Sequence, residues 1–323
     1  MVSLVIPIYN EEEILPLLHS EIRKAMDPTG EEWEVVFVND GSRDRSLALM
    51  QELQARDPHV VIVDLSRNWG HMGAINAGLR TASGDAIVLL DGDLQDPPAL
   101  IPQMVGEWRK GAQVVMAVRR SREVQSMLLA FLFHAFYRVL AFMSDYPIPL
   151  DAGIFSLMDR QALDSINALR EKNRFFPGLR AWVGYHTATV YYDRPDRAAG
   201  EGKLTLMSRF KYATDAITSF SYKPLRVSFA FAILSLFCAL GLAIGAATVT
   251  QSALIAVLGA SAAIFVVGAM VLVTLGILGE YIGRTYDEIR DRPLSLINRV
   301  YRSGEQAAST PHFAARAEEV PAA

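Results

Sequence analysis

Apolar residues are distributed along the chain in two regimes. From Val2 to Val118, short runs rich in β-branched residues alternate with helical stretches; the runs are Leu4 to Ile8, Val35 to Val38, Val60 to Leu65, Ala86 to Leu90 and Val114 to Val118. Buried runs of this length with helices between them predict an α/β domain, a Rossmann-like and mostly parallel sheet covered by helices on both faces. Ligands of such sheets bind at the carboxyl ends of the strands. The residues that follow each run are therefore the site candidates: Tyr9, Asn10 and Glu11; Asn39 and Asp40; Ser66, Arg67 and Asn68; Asp91 and Asp93; Arg119, Arg120 and Arg122.

The second regime is continuous. Val227 to Gly279 contains no charged residue, and one helix of that length would run about 80 Å against a hydrocarbon core of about 30 Å. It must fold back, and the polar break Thr248 to Ser252 gives two membrane spans near 226–248 and 253–279. Lys223 and Arg226 precede the first span and Arg284, Arg290 and Arg292 follow the second, whereas the break carries no basic residue. Both flanks are then cytoplasmic, which predicts a multi-pass protein of the inner (plasma) membrane with its globular part in the cytoplasm. Gly241 with Gly245, and Gly279 with Gly283, have a spacing that suits close helix approach, within the hairpin or in a homo-oligomer.

Between the regimes, Ser126 to Met143 is apolar but holds His134 and Arg138. A charge mid-span is costly, so a helix on the membrane surface or on the sheet is expected rather than a third span. Leu206, Phe210, Ala213, Ile217 and Phe220 share one helical face opposite Lys211 and Asp215, the pattern of an interfacial helix. The expected organisation is a globular domain at 1–202, an interfacial helix at 203–224, two spans within 225–280, a juxtamembrane helix and C-terminal segment at 281–304, and a disordered tail at 305–323. The first eight residues lack a basic leader and run into Glu11, Glu12 and Glu13, so they read as a strand and not a signal peptide.

Composition narrows the chemistry. A net charge of -4 over 323 residues offers no footprint for nucleic acid. The one cysteine, Cys238, lies in an apolar run, which leaves no disulfide framework and no thiolate metal site. No G-x-G-x-x-G follows the first strand, and neither a P-loop nor H-E-x-x-H occurs.

Asp91-Gly92-Asp93 stands directly after a buried run. Two carboxylates so placed suit Mg²⁺ or Mn²⁺, which take carboxylate and phosphate oxygens together; an acidic turn is the plainer alternative. Asp40-Gly41-Ser42 fits a nucleotide contact and equally a turn before a helix capped by Ser42. A nucleotide held by a metal and strand ends, without phosphate loops, points to nucleotide-sugar chemistry.

The motifs Pro7 to Glu12, Val38 to Asp44, Ser66 to Gly70, Gly84 to Pro98, Asp151 to Arg160, Asn173 to Gly184 and Arg197 to Lys203 resemble those of family 2 glycosyltransferases with the GT-A fold. The resemblance is to the polyprenyl-phosphate group, which includes bactoprenol glucosyltransferases and dolichol-phosphate mannose synthases, and it covers residues 1 to about 290. It implies inverting transfer of a hexose from a nucleotide sugar, UDP-glucose first and GDP-mannose second, to a polyprenyl phosphate such as undecaprenyl phosphate. It further implies that Pro7, Tyr9, Glu11 and Asp40 hold the nucleotide. Asp91 and Asp93 would bind the metal, and Gln95, Arg119, Arg122, Arg197 and Lys203 would meet phosphates. Asp151 would stand near the acceptor as base or orienting group, a helix N-cap being its structural alternative. The chain departs from the group at Gly202, where a serine commonly precedes the lysine, and after Arg122, where a lysine is often found. A processive polysaccharide synthase would need Q-x-x-R-W and more spans, which the sequence lacks. A non-catalytic nucleotide-sugar-binding scaffold would have no use for the D-G-D and the basic residues.

Overall fold

The computed structural model describes residues 1–120, 152–169, 171–172, 174–193, 223–248 and 253–303. The expected surface helix at 126–143, the interfacial helix at 203–222, the break at 249–252 and the tail at 305–323 lie outside the described residues.

Each strand read from the sequence is present. The chain order is β1 (Val2–Ile8), α1 (Leu15–Met26), β2 (Trp33–Asn39), α2 (Ser46–Arg56), β3 (Val60–Leu65), α3 (His71–Thr81), β4 (Ala86–Leu89), α4 (Ile101–Arg109) and β5 (Val114–Arg119). There follow β6 (Ala152–Asp159), α5 (Arg160–Ala168), α6 (Phe176–Val183), β7 (Thr187–Tyr192), α7 (Lys223–Thr248), α8 (Ala253–Ile289) and β8 (Ile297–Tyr301). The strands form one sheet in the order β7-β5-β6-β4-β1-β2-β3-β8. β1 pairs parallel with β2 and β4, β2 with β3, and β5 with β7. β6 runs antiparallel between β4 and β5, and β8 antiparallel along β3. Six strands therefore share one direction.

Alternation within the strands builds two cores. Leu4, Ile6, Ile8, Val35 and Phe37 turn to one face, where α1, α2 and α4 bring Leu18, Ile22, Met50 and Met104. Val5, Val36, Val38 and Val63 turn to the other, against Ala74, Ile75 and Leu79 of α3 and Leu163 and Leu179 of α5 and α6. A β-carbon on Gly78 would overlap Val5 and stand 2.7 Å from Val38 Cγ2. Only glycine lets α3 lie that close to the sheet.

α7 and α8 are each long and apolar enough to cross a membrane, and Ser235 of α7 reaches Met270 Sδ of α8 at 3.3 Å. α8 extends to Ile289, past the span expected to end at 279. At its far end Glu288 and Asp291 accept from the backbone N–H and Nζ of Lys172, at 2.7 and 2.8 Å. The chain then rejoins the sheet as β8, a strand within the segment read from the sequence as a juxtamembrane helix and C-terminal segment. Asn298 donates to Asp64 Oδ2, whose other oxygen accepts from Asn39.

The two edges of the sheet differ in chemistry. At the amino-terminal edge Asp57 is buried and accepts from the backbone and ring of His59 at 3.0 and 2.7 Å; its other oxygen lies 2.9 Å from His19 Nε2. Burial alone would raise this carboxyl, but these hydrogen bonds outweigh it and hold it below its ordinary value. At the carboxyl edge Gly41, with φ 65°, packs so tightly that a β-carbon would fall 2.5 Å from both Arg67 C and Asn68 N.

Two stability measurements follow from these contacts. A carboxyl whose folded pKa is depressed adds stability above its unfolded pKa of about 3.9, and loses it as pH falls through the folded value. Asp57→Asn should cost about 1–3 kcal/mol in denaturant unfolding at pH 7 and converge on the parent protein as pH falls through the depressed folded value. Gly30 also has positive φ, 69°, but nothing lies within 4 Å of its added β-carbon. Gly30→Ala should therefore show only the left-handed penalty of about 1–2 kcal/mol, and Gly41→Ala a further 1–3 kcal/mol from overlap.

Candidate active site

Strands that share a direction release their chain at one edge, and the sequence-derived candidates meet there. β1 ends into Tyr9, Asn10 and Glu11; β2 into Asp40; β3 into Ser66 to Asn68; β4 into Asp91 to Asp93; Arg119 closes β5. β6, being antiparallel, starts at this same edge, immediately after Asp151 in sequence. Asp151, Arg122, Arg197 and Lys203 themselves lie outside the described residues.

The loops after β1 and β2 are knitted together. Asn10, at φ 54°, donates its N–H to Ser42 Oγ and accepts from the N–H of Arg43. Glu11 N–H donates to Ser46 Oγ, and Glu12 accepts from Arg45 N–H while donating its own to Asp44. Ser42 thus bonds to the first loop, and α2 begins four residues later, so it does not cap that helix. Tyr9 stays 39% exposed, an aromatic face turned outward beside these loops.

Asp40 joins the second loop to the third. It is 3% exposed and accepts from Trp69 N–H at 2.6 Å. Burial raises its carboxyl above the ordinary value, with the N–H groups of Trp69 and Gly70 and the charge of Arg67 opposing. Arg67 stacks over the Trp69 ring at 3.7 Å, and Trp69 Nε1 donates to Ser66 Oγ. The Ser66 to Gly70 loop is thereby fixed against Asp40, and Leu296, just before β8, holds it from behind by accepting from Ser66 N–H.

Asp91 and Asp93 sit at the head of β4. A β-carbon on Gly92 would stand 2.9 Å from Ile8 Cδ1, so this loop is pressed on the end of β1. Asp93 Oδ1 accepts from Gln95 N–H at 3.1 Å, and Leu94 takes φ 58°, a conformation costly for a large side chain. Asp91 is about one-third exposed, and His71 Nε2 lies 3.4 Å from its Oδ1. The surrounding protein desolvates the imidazole and lowers it below its ordinary value, with Asp93 opposing, although half of the side chain reaches solvent. Among the described residues no three of His, Cys, Asp and Glu group closely enough to hold a metal by themselves.

Three contributors escaped the sequence reading. His71 is the first residue of α3, just past Gly70, and the parallel-sheet rule that singled out Ser66 to Asn68 would have reached it if carried on to the helix start. Asp96 is buried and accepts from the Tyr192 hydroxyl at 2.8 Å, and that hydroxyl accepts from Arg119 Nε at 3.2 Å. Arg119 is therefore tied into the sheet. Arg120 beside it is exposed and pairs loosely with Asp193, a contact of small energetic weight.

The Bacillus subtilis glycosyltransferase YkcC is 42% identical over 307 residues, covering 93% of this chain and 94% of its own length. A bactoprenol glucosyl transferase derived from prophage SfII of Shigella flexneri is 36% identical over 307 residues, covering 93% and 98%. Among solved structures, the mannosyltransferase PcManGT of Pyrobaculum calidifontis, in complex with GDP-Man and Mn²⁺, aligns over 90% of this chain and 87% of its own at 19% identity and a TM-score of 0.45. Residues 3–166 match the pattern described as Glycosyl transferase family 2. With half of its length inside that pattern and relatives of this identity over nearly all of it, the chain belongs to glycosyl transferase family 2 and is a glycosyltransferase.

Proposed function

We propose that this enzyme transfers a hexose, with inversion, from a nucleotide sugar to the phosphate of a polyprenyl lipid at the cytoplasmic face of the inner membrane. The observation that carries the reading is the pairing, in one chain, of the Asp91-Gly92-Asp93 strand end with two helices long and apolar enough to cross a membrane. The relatives named as bactoprenol glucosyl transferases support the polyprenyl acceptor and a glucosyl group as the sugar, and UDP-glucose is the donor that we infer. Undecaprenyl phosphate is the acceptor that we infer.

The nucleotide is assigned to the knitted loops. Tyr9 offers its exposed ring to the base, Asp40 and Glu11 offer acceptors to base and ribose, and Pro7 shapes the end of β1. A divalent cation fits the donor set at Asp91 and Asp93 only in a particular way. Among the described residues no third ligand joins the two carboxylates, and such a pair suits Mg²⁺ or Mn²⁺ that completes its shell with diphosphate oxygens and water. When bound, the ion neutralises charge on the departing nucleoside diphosphate. Gln95, held near Asp93 by its own backbone, is assigned to the diphosphate.

The acceptor phosphate is already ionised near neutral pH, so the chain has to position it and screen its charge; a strong base is not required. Arg119, Arg122, Arg197 and Lys203 are assigned that task. Asp151, which directly precedes β6 in sequence, is assigned to orienting the acceptor or a sugar hydroxyl.

The reading is tested by transfer of labelled sugar into lipid by purified, membrane-reconstituted protein. Asp91→Ala and Asp93→Ala should each lower transfer by on the order of 10³-fold or more while still inserting in membranes. EDTA should stop turnover, and added Mg²⁺ or Mn²⁺ should restore it. Turnover that continues unchanged in EDTA would remove the metal from the account.

A further inference from the structure

The contact between Asp96, Tyr192 and Arg119 exceeds what packing requires. Tyr192 ends β7, is buried, and meets Phe155 edge-on at 5.8 Å. Its ring thus has a place in the core without its hydroxyl. Yet that hydroxyl bridges a buried carboxylate and a partly exposed guanidinium, donating to Asp96 Oδ1 and accepting from Arg119 Nε. Burial, followed by the charge of Asp96, pushes the phenol to about 12, so it keeps its proton and donates to Asp96 throughout the working range of pH. Asp96 lies three residues beyond Asp93 in the same strand-end loop.

A guanidinium is a planar fork, and fixing one nitrogen fixes the directions of the others. Nε is the atom held by Tyr192, which leaves the terminal amines to form the two-pronged edge that recognises phosphate. Nη2 of Arg119 stands 3.9 Å from where a β-carbon on Gly153 would be. The guanidinium therefore reaches over the start of β6, two residues from Asp151 in sequence.

We propose that Tyr192 is a positioning residue that orients Arg119 toward the acceptor phosphate and couples it, through Asp96, to the loop that carries Asp91 and Asp93. The inference rests on the assignment of Arg119 to the acceptor phosphate. It adds a second requirement, that the arginine works only when held by the phenol.

The test is steady-state transfer by the full-length, reconstituted protein, varying undecaprenyl phosphate and nucleotide sugar separately, for Tyr192→Phe, Arg119→Ala and the double variant. Tyr192→Phe keeps the ring and removes one hydroxyl, so its melting temperature should stay near that of the parent. Its KM for the lipid should rise about tenfold, the effect of one lost hydrogen bond of about 1.4 kcal/mol, with the donor KM within about twofold. In the Arg119→Ala background the same change should add nothing. Should Tyr192→Phe fail to fold, Asp96→Asn, which keeps an acceptor for the hydroxyl but removes its charge, should raise the lipid KM in the same direction. An unchanged lipid KM in the folded single variant, where Arg119→Ala raises it, overturns the positioning role alone. An equal rise in both backgrounds overturns it too. An unchanged lipid KM in Arg119→Ala overturns the assignment of the arginine, and the proposal with it.

Discussion

Because six strands of this sheet run in one direction, the chain leaves all of them along a single edge, and every group at the candidate site is there for that reason. The backbone hydrogen bonds between parallel strands set the heights at which the loops begin. Asp40 N–H to Ile8 O and Leu90 N–H to Val5 O bring the ends of β1, β2 and β4 into step. Tyr9, Asp40 and Asp91, far apart in sequence, become neighbours without any one of them being locally determined. β6, the antiparallel strand between β4 and β5, does not break this convergence, since its start lies at the same edge.

The loops are held by each other more than by the sheet. Asp40 is buried, and its carboxyl is offset mainly by N–H groups of the next loop. Gly41 has no room for a side chain because that loop lies against it. β8 closes the far side, so a strand that follows the two long apolar helices supports the loop that contacts Asp40. Lys172 ties the same returning segment to the globular domain. The apolar helices are thus linked to the site through covalent chain and specific hydrogen bonds.

Most of the site was legible because its pieces follow buried runs. Five of the six parallel strands were visible as apolar stretches of four to six residues, and the rule that ligands sit at strand carboxyl ends then named Asp40, Asp91 and Arg119. β8 was not legible. Ile-Asn-Arg-Val-Tyr is short and only half buried, as an edge strand is, and it follows a charged helix end. His71, Asp96 and Tyr192 were missed for a related reason. Their importance comes from partners 20, 96 and 73 residues away, and neither periodicity nor spacing carries such a pairing. Asp151, Arg122, Arg197 and Lys203 lie outside the described residues, and their roles stay with the proposal.

The central claim is that one edge of one sheet joins a water-soluble sugar nucleotide to a membrane lipid. Its most direct test is to incubate the purified, reconstituted protein with undecaprenyl phosphate and either UDP-glucose or GDP-mannose, and to identify the lipid product by mass spectrometry. The account predicts polyprenyl phosphate carrying one hexose, formed fastest from UDP-glucose. Unmodified lipid after either donor has been consumed would contradict it.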